Sequence, residues 1–401
     1  MKFSKLGQVS LVSATALILA SAFTACAPVT IDYLFVAGNK SNNIQTFLVD
    51  RVSGALNAVN SVVAAGGVAP ISMAVSTDYK HLYVANQGDS SLVEFSISGT
   101  GVLASANTTT LSAEGNTPVS INMNAAGTLL YVLNRYQPGC STATTGAASC
   151  NGGALAVFPV GTDGALGTAV ANAGLSYWPV GINPTSVTSL PNGTAVYAAT
   201  YDPAAGIGYL YGYTAATSGV LSQLVAGNRF PAGVKPVGVT TDPTSRFVYV
   251  TDFSQNELIA FTINSGILTP LINGPFRTGN QPSAIQVDPR GKYIYVSNQL
   301  DNSVSAYAID LATGTPSAAV NTTGSATNTT GTQPVAILVD PGFGRYVFTA
   351  NFLDNSLSGF QLNPNTGTLS VTQNGPYPTV SQPIAIASIP HGNHSVQVDQ
   401  P

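Results

Sequence analysis

In this chain of 401 residues only 7% are Asp, Glu, Lys or Arg, against about 25% in ordinary soluble proteins. With 17 acidic and 13 basic residues and a net charge of −4, it lacks the clustered Lys and Arg that a phosphate backbone requires, which argues against nucleic acid as a partner. Its 44% hydrophobic content, with 17 Tyr and 15 Phe, argues equally against disorder.

Residues 1–25 read as a signal peptide. Lys2 and Lys5 precede an apolar stretch from Leu11 to Phe23, and Thr24-Ala25 stand before Cys26; the stretch is too short to span a bilayer. Phe23-Thr24-Ala25-Cys26 resembles a bacterial lipobox, in which the Cys is acylated and becomes the mature N-terminus, although Phe23 stands where Leu is usual. The alternative is ordinary cleavage that leaves Cys26 free. Acylation at Cys26 would hold the protein on a membrane without a transmembrane helix, followed by a tether over 26–30. In a Gram-negative cell, Ala27 in place of Asp fits sorting to the outer membrane. The expected location is therefore the cell envelope, with the chain lipid-anchored at the outer membrane or periplasmic face.

From residue 31 to 390 two phrases recur. The first is an apolar run ending in a short polar residue: Phe35 to Asn39, Tyr83 to Asn86, Tyr131 to Asn134, Tyr197 to Thr200, Tyr249 to Asp252, Tyr295 to Asn298 and Phe348 to Asn351. The second is a Pro opening an alternating strand, at Pro70, Pro118, Pro184, Pro236, Pro282, Pro334 and Pro383, with spacings of 48, 66, 52, 46, 52 and 49. Seven repeats of about 50 residues made of short strands predict an all-β, seven-bladed β-propeller with four strands per blade. Asp-Pro turns at 242–243, 288–289 and 340–341 join first strands to second. The chain starts its repeats on a second strand (Ile31 to Asn39) and ends them on a first (Pro383 to Ser388), so the N- and C-terminal strands are expected to share one blade.

The 66-residue interval holds an insert of small residues between Cys140 and Cys150. Export makes a disulfide the expected state of this pair, and no His or third Cys lies nearby to complete a metal site. Residues 321–331 form a low-complexity connector, and 391–401 a C-terminal tail.

The phrases Tyr-Val-x-Asn and Pro-x-x-Ile-x-Val-Asp-Pro-x-Gly-Lys-x-Ile-Tyr-Val-Ser-Asn (282–298) resemble the YVTN and lactonase-like (6-phosphogluconolactonase, cycloisomerase-2 type) seven-bladed propellers over residues 31 to 390. The resemblance implies that fold. It also implies hydrolysis of sugar lactones by a His, Arg and Glu cluster on one face. At the matching positions this chain has Val237 for His, Gln281-Pro282-Ser283 for Arg-His, and Gln299 for Glu. Gln is no carboxylate base, and Val cannot donate to an oxyanion. His81, His391 and His394 are the only histidines, expected at strand edges or in the tail, and no pair is expected among Glu94, Glu114 and Glu257.

In a propeller, loops after second strands and before first strands gather at one mouth of the axial channel. Asn39, Asn86, Asn134, Thr200, Asp252, Asn298 and Asn351 form a ring there, either as a polar ligand site or as Asx-type ties within their own turns. Beyond them, Arg135, Tyr136, Trp178, Tyr201, Arg229, Lys235, Asp252, Phe253, Gln299 and Phe352 are the ligand-binding candidates, since aromatic faces suit sugar rings; the alternative for the aromatics is packing between blades. The expected function is a monomeric, lipid-anchored binding or scaffold module for a glycan, polymer or protein, with no catalytic residues, metal or cofactor assigned. The alternatives are a lactonase with a divergent site and a structural component of the envelope.

Overall fold

The computed structural model describes residues 30–141, 150, 152–225, 227, 229–320 and 324–391. The signal peptide, the acylation candidate Cys26, the tether up to 29, residues 321–323 of the low-complexity connector and the tail beyond 391 lie outside the described residues.

Every regular element among the described residues is a strand, and the strands form seven antiparallel sheets. From the axis outward, blade 1 consists of Pro383–Pro390, Thr30–Gly38, Asn43–Asp50 and Leu56–Ala64, and blade 2 of Pro70–Val75, His81–Asn86, Ser91–Ile97 and Leu103–Thr110. Blade 3 follows with Asn116–Met123, Leu129–Tyr136, Gly153–Pro159 and Trp178–Val180. The inner three strands of blades 4 to 7 are Pro184–Ser189, Ala195–Asp202 and Ile207–Ala215; Pro236–Thr241, Phe247–Asp252 and Glu257–Asn264; Pro282–Val287, Tyr293–Asn298 and Ser303–Ile309; and Pro334–Val339, Tyr346–Asn351 and Ser356–Leu362.

Blades 1 to 3 have the expected four strands. In blades 4 to 7 the outermost strand is broken into two short pieces, both paired to the third strand: Leu221–Gln223 with Arg229–Pro231, Ile267–Pro270 with Phe276–Arg277, Pro316–Ala318 with Thr327–Thr329, and Leu369–Val371 with Tyr377–Pro378. Prolines at 231, 270, 316 and 378 have no N–H to give a ladder, and an outer edge is where that is tolerated.

The first and last strands close the ring. Thr30–Gly38 pairs with Pro383–Pro390, from Asp32 opposite Pro390 to Gly38 opposite Pro383. Each interface between blades holds one apolar cluster, seven in all. The Tyr of the recurring phrase adds a directional tie: Tyr83, Tyr197, Tyr249 and Tyr295 donate buried hydroxyls to the carbonyls of Gly164, Gly266, Gly314 and Gly367 in the next blade. Those glycines lie at φ between 72° and 84°, where an L side chain is strained. Burial pushes the four phenols well above their ordinary range.

Nearer the axis, first-strand side chains tie neighbouring blades. Ser72 and Ser120 accept from the amides of Ile121 and Val187, Gln286 accepts from Val339, and Thr185 and Ser283 donate to the carbonyls of Pro236 and Pro334. This belt surrounds an axial channel of about 290 Å³.

Candidate functional site

In blades 2 to 7 the second strand places one short polar residue at the mouth opposite the Pro of the first strand: Asn86 with Pro70, Asn134 with Pro118, Thr200 with Pro184, Asp252 with Pro236, Asn298 with Pro282 and Asn351 with Pro334. In blade 1 the residue in this register is Gly38 rather than Asn39. Asn39 stands one place beyond and reaches across to the Pro70 carbonyl.

The six ring residues in register are buried, and their bonds are internal. Asn298 donates to Ser303 and Ser305, Asn351 to Ser356 and Ser358, and Asn86 to Ser91. Asp252 accepts from the amides of Val234, Lys235, Ser254 and Gln255. Its carboxylate is spent on shaping the loop that carries Lys235, so Asp252 is a positioning residue and is not offered to a ligand. Asn86, Asp252, Asn298 and Asn351 thus tie their own turns, whereas Asn134 donates to the Glu114 carbonyl and the amide oxygens of Asn86 and Asn134 are buried without a partner.

Trp178 also leaves the mouth surface. It is 4% exposed, packs in the apolar cluster between blades 3 and 4, and donates its indole N–H to the Leu221 carbonyl at 3.0 Å. Burial of so large an apolar ring favours the interface over solvent.

Two concavities lie on the mouth side among the described residues. One of about 400 Å³ on blade 4 is lined by Tyr201, Asp202, Tyr209, Tyr211 and Arg229 together with Gly181. The Arg229 guanidinium lies 4.6 Å from the Tyr209 ring centre. A second of about 300 Å³, between blades 5 and 6, is lined by Lys235, Phe253, Asn256, Asn280, Gln281 and Leu300. Lys235 Nζ stands 4.2 Å from the Phe253 ring centre and 5.4 Å from that of Tyr201, so it borders both concavities.

The other candidates are dispersed. Arg135 is exposed and Tyr136 half-buried at the end of a blade 3 strand, and Phe352 is half-buried on blade 7 with its amide bonded to the Gln333 carbonyl. Gln299 is half-buried beside the second concavity, its amide bonded to the Gln281 carbonyl. Val237 and Ser283, at two positions where the family carries catalytic side chains, line the axial channel among apolar and hydroxyl groups. The disulfide Cys140–Cys150 forms as expected; it closes the insert that follows the second strand of blade 3, on the mouth face.

Two pairings of titratable groups were not legible in the sequence. His81 Nδ1 lies 3.0 Å from Glu94 Oε1, and Asn107 donates to Oε2; the pair is largely enclosed rather than at an exposed edge. Both residues sit on adjacent strands of one hairpin, so register was the available signal. At the end opposite the mouth, Asp32 meets Asp340 across the seam between blades 1 and 7. Asp340 accepts from the amides of Phe343, Gly344, Arg345 and Tyr346, whereas neither oxygen of Asp32 finds a donor. Burial and the neighbouring Asp340 push Asp32 up to about 9. Burial raises Asp340 too, but its four amides oppose this, so the shared proton resides on Asp32.

Among the described residues no three His, Cys, Asp or Glu side chains gather as a metal set. A family model described as lactonase, seven-bladed β-propeller, matches residues 66–141 and 146–387. The periplasmic gluconolactonase of Pseudomonas aeruginosa superposes with a TM-score of 0.71 at 20% identity, covering 90% of this chain and 99% of that one. A Bacteroides fragilis protein carried under the name 6-phosphogluconolactonase gives 0.68 at 19% identity, covering 90% and 98%. At such identities the likeness is one of fold. No curated protein matches the chain.

Proposed function

The chain belongs to the lactonase seven-bladed β-propeller family, and on that basis we propose that it is an exported, lipid-anchored binding module that captures an anionic sugar derivative on the mouth face of blades 4 to 6. The observation that carries this reading is the position of Lys235 between the rings of Tyr201 and Phe253, with Arg229 over Tyr209 nearby. Aromatic faces accept the apolar face of a pyranose, and the cation beside each ring attracts an acid group. Asn256, Asn280 and Gln281 supply amides that pair with hydroxyls. The one carboxylate of the first concavity, Asp202, accepts from the amides of Ala204 and Ala205.

A second reading, hydrolysis of a sugar lactone, is favoured by the family and by the neighbour named as a gluconolactonase. There, Arg229 and Lys235 would stabilise the oxyanion that forms as water attacks the lactone carbonyl, and the proton would leave through water, because Gln299 stands where the family has Glu.

The test is calorimetric titration of the mature protein with gluconate, 6-phosphogluconate and glucose, alongside hydrolysis of gluconolactone above its spontaneous rate. Binding of the acids over glucose, weakened by Arg229→Ala or Lys235→Ala with an unchanged melting curve, supports the binding reading. Turnover lost in the same variants replaces it with the hydrolase. Absence of both sinks the two readings together.

A further inference from the structure

The two mouth-side concavities are neighbours with a common border. Tyr201 lines the first and Lys235 the second, and these two side chains touch, with 5.4 Å from Nζ to the ring centre. Each concavity has its own cation and its own aromatic wall: Arg229 with Tyr209 in the first, and Lys235 with Phe253 in the second. The order along the face is therefore cation, aromatic, cation, aromatic.

Both halves are held by the backbone. Arg229 lies on a short outer strand opposite Tyr211. Gly181 allows the loop from blade 3 to approach the wall: a Cβ there would come within 2.7 Å of Thr200 Oγ1 and 2.8 Å of the Tyr211 ring. Lys235 precedes Pro236, which restricts its backbone, and buried Asp252 accepts from its amide at 3.2 Å. In the second concavity, Asn280 is fixed by Asp301, which takes both its backbone and side-chain N–H groups. Groups held in place before binding lose little freedom on binding.

A single sugar acid fills one such site and leaves the other cation and ring unused. From this doubled arrangement we propose that the groove is a two-subsite platform for an acidic oligosaccharide, with one uronic-acid-type unit in each concavity and the Tyr201–Lys235 contact beneath the linkage. This rests on the reading that the mouth face binds an anionic sugar. It adds that the ligand has at least two acidic units.

Oligogalacturonides of one to four units are titrated into the mature protein, with neutral cello-oligosaccharides of equal length and a glutamate tetrapeptide as controls. Linking two units makes the second contact intramolecular, so the dimer should bind about tenfold or more tighter than the monomer, with little gain beyond the length that fills both sites. Lys235→Ala and Arg229→Ala should each return dimer affinity to near the monomer's, with unchanged melting curves. Equal affinity for monomer and dimer overturns the two-subsite proposal and leaves the binding reading standing. Equal binding of the neutral series overturns the requirement for acid groups, and stronger binding of the peptide overturns the carbohydrate class. Binding of no sugar acid at all removes the underlying reading as well.

Discussion

Gly38 lies so close to Val380 that a Cβ on the glycine would come within 2.8 Å of the valine Cβ. In the other six blades the arrangement is reversed: the ring position carries a side chain, and the residue three before the first-strand Pro is Gly. A Cβ on Gly279 would come within 2.6 Å of Asn298, one on Gly181 within 2.7 Å of Thr200, and one on Gly115 within 2.9 Å of Asn134. One side chain fits at this corner, and the repeat places it on either strand.

Gly279→Ala is accordingly expected to cost about 1–3 kcal/mol, the usual penalty of overpacking. Asn298→Gly costs something alone, since it removes bonds to Ser303 and Ser305. The double variant should nevertheless be more stable than the sum of the singles by about 0.5–3 kcal/mol. Urea denaturation of the four proteins measures this, and strict additivity would show that the corner does not couple.

Tyr295→Phe is expected to lose about 1–2 kcal/mol, because the Gly367 carbonyl is left buried without its donor. Phe348 occupies the corresponding place in blade 7 with no hydroxyl, so Phe348→Ala should show the packing cost alone, about 3–5 kcal/mol. A Tyr295→Phe protein with an unaltered urea midpoint would refute the role given to the hydroxyl.

The seam between blades 1 and 7 gives a pH dependence. Asp32 binds its proton up to about pH 9 in the folded protein, against an ordinary value of 3.8 when unfolded. Between these values the folded state holds one proton more, so this group's contribution is full below about pH 4 and is lost as the pH rises towards about 9. Facing it are Asp340, Tyr79 and Tyr346, with Arg345 beside Tyr346. Asp32→Asn keeps the shape and is neutral at every pH. Its advantage in melting temperature over the parent should grow from pH 5 to pH 9, and a constant difference would remove the shared proton from the account.

Removing residues 383–401 deletes the innermost strand of blade 1 and exposes the edge of Thr30–Gly38. The shortened chain is expected to lose its cooperative melting transition or its solubility. An unchanged melting curve would mean that closure of the ring does not support the fold.

Strand order, blade number and closure were legible because each blade repeats a Pro at the mouth and an apolar run ending in a short polar residue beside it, and repetition makes weak local signals additive. The broken outer strands were not, since pieces of two to four residues owe their existence to the neighbouring edge rather than to their own pattern. The shift from Asn39 to Gly38 turned on a one-residue register that only pairing with Pro383 reveals. Among site candidates, the sequence pointed to Tyr201, Arg229, Lys235 and Phe253 by their nearness to strand ends. It could not separate these from Trp178 or Asp252, because inward and outward orientation at a loop depends on packing from the adjacent blade. Asp32 and Asp340 meet only because the ring closes.

Thr30 begins the nine-residue strand that ends at the mouth with Gly38, which at about 3.3 Å per residue puts it on the far face of the disc. On the proposed acylation of Cys26, four positions before Thr30, this far face would be the one next to the membrane. The propeller would then rest back-down on the bilayer with its groove facing outward. On that proposal the groove would sample what passes in the surrounding space rather than what lies in the membrane beneath it.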